Sequence, residues 1–331
     1  MAKIKLMGIG LVALALLGCD RNASETSRVV TEVAVDSIEL KQGAPAGLDG
    51  LERASLDTLM WLTKDDGFIT AEGIDMDDIA ERIERTAKAM VDVPHVDACR
   101  KRLGTGDVEV SPSDGKSETV SATWLCDIDW PDSSLDPNRH IRHMLHDNVV
   151  AMLKAEFPGI KDTVRVYRQP LDDCGEMLSH YAGQYAKAYK QAATMAAASV
   201  TKEAFEDYGE MALIIKLRAY NDEWATYYIA AVDDKVGAKP YYSIVSINRN
   251  TGTLLKAGDI VADAEGWNAK LQSALNKARA RQGEPPMTIG KDTQYTLGLT
   301  PQHLVVNFAP VKAADKDDVA GCVVYFKLIE Q

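Results

Sequence analysis

The chain has 331 residues, with 49 acidic and 37 basic side chains and a formal net charge of −12 at pH 7. That length accommodates one large domain or two medium ones. The acidic balance argues against nucleic acid and anionic lipid surfaces as partners, and it favours a basic partner through long-range attraction. The sequence contains no hydrolase, zinc-protease or phosphate-loop motif, so it predicts no catalytic residues, no metal site and no cofactor.

Residues 1–18 are predicted to be a signal peptide rather than part of the fold. Lys3 and Lys5 give a positive start, and Leu6–Leu17 is an apolar run of 12 residues. A membrane-spanning helix needs about 20 apolar residues, whereas the shorter run is typical of a signal-peptide core. Loss of the two lysines with the peptide takes the net charge of the mature chain from −12 to −14.

The peptide ends in Leu16-Leu17-Gly18-Cys19, which resembles the lipobox of bacterial lipoproteins. In that arrangement the chain is cut before the cysteine, so Cys19 is the predicted lipid-attachment site. Residues 19–29 are polar and predict a lipidated, flexible tether. The sequence therefore predicts an exported protein, lipid-anchored to the cell envelope and facing the periplasm, and Asp20 favours the inner membrane. A plain secretory signal is the alternative.

Four cysteines follow Cys19, namely Cys99, Cys126, Cys174 and Cys322. An even number of cysteines in an exported chain predicts disulfide bonds. Three pairings of the four are available. The favoured one joins Cys99 to Cys126, which flank one local unit, and Cys174 to Cys322, which would tie a helix to the last strand. Four buried free thiols are the alternative.

Residues 30–131 are predicted to form a smaller α+β unit. The apolar pattern predicts one strand, two amphipathic helices and a hairpin. In chain order these elements cover residues 30–40, 48–63 and 76–91, then the paired segments Val108–Val110 and Glu118–Ile128. Trp124, Trp130 and Pro131 close the unit.

Residues 132–331 are predicted to form a second, larger unit of helices and strands. The predicted helices cover residues 137–157, 176–207 and 264–281. The first has one apolar face, formed by Ile141, Leu145, Val149 and Met152, and the last points Trp267, Leu271 and Leu275 inward. The predicted strands cover residues 210–220, 223–232, 241–249, 294–299, 303–308 and 319–329. The first two are predicted to form a hairpin across Asn221-Asp222. The fold class is therefore α+β, with a mixed or antiparallel sheet packed against helices and preceded by the smaller α+β unit.

The strand over residues 241–249 has apolar side chains on both faces, which predicts a central position in its sheet. The polar run Asn248–Gly252 follows directly. It predicts a turn, because Asn tolerates left-handed backbone and Gly adopts positive φ without a Cβ clash.

Two sets of spaced side chains lie on the predicted helices of this unit. His140, His143 and His146 stand three residues apart, and we interpret them as a polar helix flank, because a metal site prefers ligands at i and i+4 with a further ligand from elsewhere. A second set forms a tyrosine stripe that predicts a core face rather than a ligand site: Tyr181, Tyr185 and Tyr189.

Three segments of the second unit carry a family resemblance. They are the helix Asn138–Leu153, the run Gly237-Ala238-Lys239-Pro240-Tyr241-Tyr242 with the turn after it, and the closing residues 295–323. Together they make residues 137–328 similar to the paired extracytoplasmic domain of RsiV-type lysozyme-sensing anti-sigma factors. The same domain accompanies the catalytic domain of some peptidoglycan deacetylases. Lys239 stands where that family usually has histidine.

The resemblance implies a binding function without catalysis. RsiV-like proteins bind lysozyme through this region, so a basic lysozyme-like wall hydrolase or peptidoglycan is the expected partner. A Gly-Pro turn beside a predicted central strand can present a rigid loop. The hypothesis for the contact is therefore the turn that includes Gly237, Lys239, Pro240 and Tyr241, and a purely structural turn is its alternative. The chain shows no cytoplasmic sigma-binding segment and no deacetylase domain. A structural envelope lipoprotein without a tight ligand and an envelope hydrolase are the other functions considered.

Overall fold

The computed structural model describes residues 36–45, 49–50, 69–70, 73–74, 95–104, 106–110, 118–121, 123–156, 173–199, 210–233, 241–281, 285–291, 293–301, 303–308 and 322–329. Several predictions lie outside these residues. They concern the signal peptide, the lipid site Cys19 with its tether, residues 51–63 of one predicted helix, the helix over 76–91, and the contact residues Gly237, Lys239 and Pro240. The start of the helix predicted over 48–63 was wrong, because Asp49–Gly50 is a strand.

The described residues form strands and helices that we number in chain order. The strands are β1 Ser37–Glu39, β2 Asp49–Gly50, β3 Ile69–Thr70, β4 Gly73–Ile74, β5 Val96–Gly104, β6 Val108–Val110, β7 Glu118–Val120, β8 Thr123–Pro131, β9 Glu210–Tyr220, β10 Trp224–Asp233, β11 Tyr241–Asn248, β12 Tyr295–Leu299, β13 His303–Phe308 and β14 Cys322–Ile329. The helices are α1 His140–Glu156, α2 Cys174–Ser199, α3 Ala257–Ile260 and α4 Trp267–Arg281.

The chain divides into two compact units, and the first comprises residues 1–47, 256–297 and 302–331. Its sheet has the order β1-β14-β13-β12, with β1 parallel to β14 and β13 antiparallel to it. Helix α4 packs on this sheet through Trp267, whose ring lies 5.2 Å from that of Phe326. Leu271 and Leu275 are buried beside Trp267, which confirms the predicted inward face.

The second observed unit comprises residues 48–255 and 298–301, and it is this unit that is called the second unit from here on. Its sheet has the order β11-β10-β9-β8-β5, and β2 pairs with β9. The β8–β9 pair is parallel and the other pairs are antiparallel, so the predicted α+β class with a mixed sheet is confirmed. The predicted hairpin of β9 and β10 is also confirmed, and Asn221 Oδ1 closes its turn by accepting from the Trp224 backbone N–H at 2.7 Å.

Helices α1 and α2 contribute the apolar core against one face of this sheet. Helix α1 begins where buried Asp136 accepts hydrogen bonds from the backbone N–H groups of Ile141 at 3.1 Å and Arg142 at 2.8 Å. Such a cap satisfies donors that have no partner inside the helix. The predicted apolar face of α1 is buried, at Ile141, Leu145 and Val149. The tyrosine stripe of α2 is buried too, which confirms the predicted core face: Tyr181, Tyr185 and Tyr189.

Strand β11 lies at the end of the described sheet, so the prediction of a central position was wrong. Its second face is buried because the segment Gly298–Pro301 covers it. Thr226 Oγ1 donates to the Leu299 carbonyl at 2.7 Å, and the Leu299 N–H donates to Ser246 Oγ at 2.8 Å. Gly298 permits this approach, since an added Cβ would lie 2.2 Å from Ile244 Cγ1. The second face of β11 is therefore apolar, as in a central strand, because the neighbouring segment Gly298–Pro301 covers it.

The predicted unit boundary at residue 131 does not coincide with the observed division. β6 and β7 form the predicted hairpin, but β8 leaves it and pairs with β5 on one side and with β9 on the other. The strands before and after residue 131 therefore share one sheet. Periodicity could not reveal this, because parallel pairing joins segments that are distant in the chain.

Candidate functional site

The turn that follows β11 is held in one conformation by local hydrogen bonds. Asn248 Oδ1 accepts from the backbone N–H groups of Asn250 and Thr251, each at 3.0 Å. The Gly252 N–H donates to the Asn248 carbonyl at 2.8 Å. Gly252 has φ +72°, in the left-handed region that favours glycine. The sequence prediction of a turn at Asn248–Gly252 is therefore confirmed.

Arg249 anchors this turn to two other loops of the same unit. Its guanidinium donates to the Leu135 and Ser134 carbonyls, each at 2.6 Å, and to the Asn221 carbonyl. Its backbone N–H donates to the Glu223 carbonyl at 2.7 Å. The planar fork of an arginine can serve several acceptors at once. The turn, the loop before α1 and the β9–β10 turn are thus tied together by one side chain.

A groove of about 470 Å³ lies between helix α1 and this turn. The groove is open to solvent rather than an enclosed cavity. The residues that line it all belong to the second unit: His140, His143, Met144, Asp147, Asn148, Ala151, Ile247, Gly252 and Leu254. The anchored turn forms one wall, so the groove is present before any ligand binds.

The groove combines polar groups with apolar surface. His140, His143 and Asp147 offer imidazole nitrogens and a carboxylate, while Leu254 is 48% exposed. Asp147 Oδ1 lies 3.2 Å from Nδ1 of His146, whose Nε2 lies 2.8 Å from Tyr181 Oη. A polar chain thus runs from the groove into the core. The arrangement suits a ligand that is partly apolar and carries hydrogen-bond donors or a positive charge.

The three histidines of α1 therefore separate into two environments. His140 and His143 line the groove, whereas His146 is buried and bonded within the protein. Among the described residues, no three His, Cys, Asp or Glu side chains are arranged as a metal site would require. The groove itself was not predicted. The one signal for it was the shared helix face of His140, His143 and Asp147, at spacings of three and four residues.

Replacement of Gly252 by alanine is expected to destabilise the second unit by roughly 1–3 kcal/mol, because positive φ is strained for a residue with a Cβ. The new Cβ would also lie 2.8 Å from His140 Nδ1 and 2.9 Å from its Cγ, so the ring must move. Gly43→Ala is the matched control, since Gly43 has φ +77° with no heavy atom within 4 Å of its added Cβ. Urea unfolding of both variants measures the difference, and equal losses would contradict a packed Gly252–His140 contact.

A second cluster of charged residues lies buried in the sheet. Lys216 is 0% exposed, and its Nζ donates to Asp127 Oδ1 at 2.6 Å and Asp129 Oδ1 at 3.1 Å. Arg100 Nε donates to Asp127 at 3.2 Å, and the Leu217 N–H donates to Asp129 at 3.1 Å. Burial raises the pKa of Asp129 above its ordinary value, although Lys216 opposes the rise. Two cations thus offset two carboxylates, an arrangement that favours a structural role.

The predicted contact residues are only partly described. Tyr241 is the first residue of β11 and pairs with Ala231, whereas Gly237, Lys239 and Pro240 lie outside the described residues. The predicted contact at this turn therefore stays a prediction.

None of the helices in the described ranges is long and apolar enough to cross a membrane.

The described cysteines are all free thiols: Cys99, Cys126 and Cys174. The favoured Cys99–Cys126 pairing is not the one that the structure brings together, because Cys99 stands 3.1 Å from Cys174 instead. Cys322 is the first residue of β14, and its side chain is outside the described set.

No protein-family model and no curated protein matches the chain. A solved structure that resembles it is a member of the DUF3298 family from Bacteroides fragilis NCTC 9343. The likeness has a TM-score of 0.39 and 13% sequence identity, and it covers 70% of this chain and 89% of that chain. At this level the likeness does not assign the chain to that family.

Proposed function

We propose that this protein is an exported, lipid-anchored envelope protein that binds a basic, lysozyme-like wall hydrolase without catalysis. The groove between α1 and the Asn248–Gly252 turn is the contact site. The single observation that carries the proposal is that Arg249 holds this turn in place, so the groove is preformed and loses little conformational entropy on binding.

The charge of the chain supports a basic partner. The mature chain carries a formal charge of −14 after loss of Lys3 and Lys5. A net negative protein attracts a basic one over about a Debye length, which raises the association rate at low salt. At the groove, the Asp147 side chain is 79% exposed, and the lining also includes the exposed Leu254. A basic side chain with an apolar stem matches this pair.

The lining of the groove supports binding rather than hydrolysis. Among its described residues, Asp147 is the single carboxylate, and neither serine nor cysteine is present. Glycoside hydrolysis generally uses two carboxylates across the scissile bond, and acyl transfer uses a nucleophile beside a base. The lining offers neither arrangement.

Calorimetric titration of residues 19–331, carrying Cys19→Ser, with a purified basic lysozyme tests the proposal. We expect saturable binding that weakens as salt is raised. Asp147→Asn and Leu254→Ser are each expected to weaken it by about tenfold, the effect of one central contact. Matched controls are Asp222→Asn at the exposed β9–β10 turn and Ile329→Ser, since Ile329 is 44% exposed.

Other outcomes separate the alternatives. Lysozyme binding that both groove variants leave unchanged would remove the groove as the contact. If lysozyme gives no heat and soluble peptidoglycan fragments bind, peptidoglycan replaces the hydrolase as ligand. If neither binds, the binding proposal fails, and a structural envelope lipoprotein and an envelope hydrolase are the functions left to test.

A further inference from the structure

Three cysteines from separate elements converge in the second unit. Cys99 lies on β5, Cys126 lies on β8, and Cys174 is the first residue of α2. The sulphur of Cys99 stands 3.1 Å from that of Cys174. Cys126 is 0% and Cys174 is 5% exposed, while Cys99 is half-buried. The group therefore contains one thiol that solvent can reach and two that are buried behind it.

The strand register disfavours a bond between Cys99 and Cys126. Cys99 stands opposite Ile128, and Cys126 stands opposite Lys101, so the two cysteines are diagonal neighbours. Diagonal Cα atoms of an antiparallel pair are about 7–8 Å apart, whereas most disulfides join Cα atoms about 4.4–6.8 Å apart. The pairing expected from the sequence would therefore need the two strands to move.

The start of α2 is instead held against β5 at Cys99. Lys101 Nζ donates to the Gly175 carbonyl at 2.8 Å and to Ser179 Oγ at 3.0 Å. The lysine tip packs closely on the helix start, since a Cβ added at Gly175 would lie 3.0 Å from the Lys101 Cε and Nζ atoms. These contacts place the first residue of the helix directly over the strand, independently of any sulphur–sulphur bond.

The two close thiols differ in reactivity. A hydrogen bond from Cys174 lowers the pKa of Cys99, and the nearby Lys101 ammonium lowers it further. The same hydrogen bond and burial raise the pKa of Cys174, and burial raises the pKa of Cys126. The thiolate is the nucleophile in thiol–disulfide exchange. Cys99 is therefore the residue that reacts first.

We propose that Cys99 and Cys174 form a disulfide by exchange with a disulfide oxidant, while Cys126 stays a buried free thiol. Cys99 first loses its proton to solvent. Its thiolate then attacks the oxidant R–S–S–R, whose S–S bond breaks, and R–S⁻ leaves. Cys174 gives its proton to that leaving group and attacks the Cys99 sulphur, which releases a second R–S⁻ that takes a proton from solvent. The protein loses two electrons and two protons, and the oxidant becomes two R–SH.

The bond would fasten the first turn of α2 to β5 and close a loop between positions 99 and 174 of the chain. Closing a long loop lowers the entropy of the unfolded chain. We therefore expect the oxidised protein to melt about 5–10 °C above the reduced protein. Cys174→Ser is expected to abolish this difference between oxidised and reduced samples, and Cys126→Ser is expected to retain it.

Peptide mapping tests the pairing directly, because trypsin places each cysteine in its own peptide. The peptides span residues 89–100, 117–139, 169–187 and 317–327. The chain from residue 19 with Cys19→Ser is treated with oxidised glutathione, alkylated with N-ethylmaleimide, digested and analysed by mass spectrometry. We expect peptide 89–100 linked to 169–187, and alkylated Cys126 in peptide 117–139. In Cys174→Ser, Cys99 should carry glutathione, since the resolving thiol is absent.

Two results would overturn the proposal. One is a link from peptide 89–100 to 117–139, or from 169–187 to 317–327, as the sequence alone suggested. The other is a chain in which Cys99 and Cys174 both stay free during oxidation and are therefore both alkylated. The oxidant excess must be one that does link the cysteines of a disulfide-bonded reference protein. If the linked protein melts at the same temperature as the reduced protein, the disulfide forms but does not stabilise the fold.

Discussion

Replacing Lys216 with methionine is expected to destabilise the protein by about 3–5 kcal/mol, the usual cost of removing one partner from a buried ion pair. The side chain is 0% exposed and donates to Asp127 at 2.6 Å and Asp129 at 3.1 Å. Without it, Arg100 still donates to Asp127 Oδ1, at 3.2 Å. Methionine keeps the length of the side chain, so the loss reports on charge more than on volume.

Lys277→Met is the matched control. Lys277 pairs with Asp36 at 2.9 Å, but its side chain is 54% exposed. An exposed pair of this kind contributes about 0–1 kcal/mol. Urea unfolding followed by circular dichroism gives the free energy of unfolding of both variants. Equal losses in the two would contradict the assignment of Lys216 as the compensating charge of a buried cluster.

The Lys216→Met loss is also expected to depend on pH. Burial already raises the pKa of Asp129 above its ordinary value of 3.8, and loss of the neighbouring cation raises it further. A carboxyl whose folded pKa exceeds its unfolded pKa reduces stability as pH rises through that interval. The destabilisation should therefore shrink as the pH falls from about 7 towards about 4. A loss that is constant over this range would show that packing, not charge, is responsible.

Arg249→Ala is expected to lower the free energy of unfolding by about 3 kcal/mol, because three carbonyls lose a charged donor, two of them in part-buried hydrogen bonds. The guanidinium serves the carbonyls of Leu135, Ser134 and Asn221 together. Its loss releases the Asn248–Gly252 turn from the loop before α1. The groove then loses its fixed wall, and binding of the lysozyme-like partner should fall by more than tenfold if the proposed function is correct.

Arg249→Lys tests whether the positive charge alone or the planar geometry of the guanidinium stabilises the turn. An ammonium keeps the charge but cannot reproduce the planar geometry that reaches three carbonyls. We therefore expect the fall in the free energy of unfolding caused by Arg249→Lys to be roughly half to three-quarters of the fall caused by Arg249→Ala. Unfolding measured beside the binding titration gives both effects. A lysine variant as stable as the wild type would contradict the anchoring role of the guanidinium.

Much of the local structure followed from the sequence pattern. Helix α1 appears at the predicted segment because Ile141, Leu145 and Val149 repeat at helical spacing and are fully buried. The β9–β10 hairpin appears because two apolar runs flank the turn residues Asn221 and Asp222. These features depend on neighbours within a few residues, which the pattern records directly.

The candidate site could not be predicted from the sequence pattern. Arg249 bonds to Leu135, 114 residues away, and Gly252 packs on the ring of His140. In the sequence, Arg249 is one polar residue in a turn and His140 is one polar residue on a helix. Neither position indicates that the two segments meet, because spacing carries no information about contacts between distant elements.

The sequence by itself determined the α+β class, the positions of most described helices and strands, and the turn at Asn248–Gly252, because periodicity and turn chemistry are local. Only the tertiary structure decided that β8 pairs in parallel with β9 and that β11 lies at the sheet end under Gly298–Pro301. It also decided that Cys99 faces Cys174 rather than Cys126. Register and helix docking place these groups, and both are set by the burial of apolar faces from distant parts of the chain.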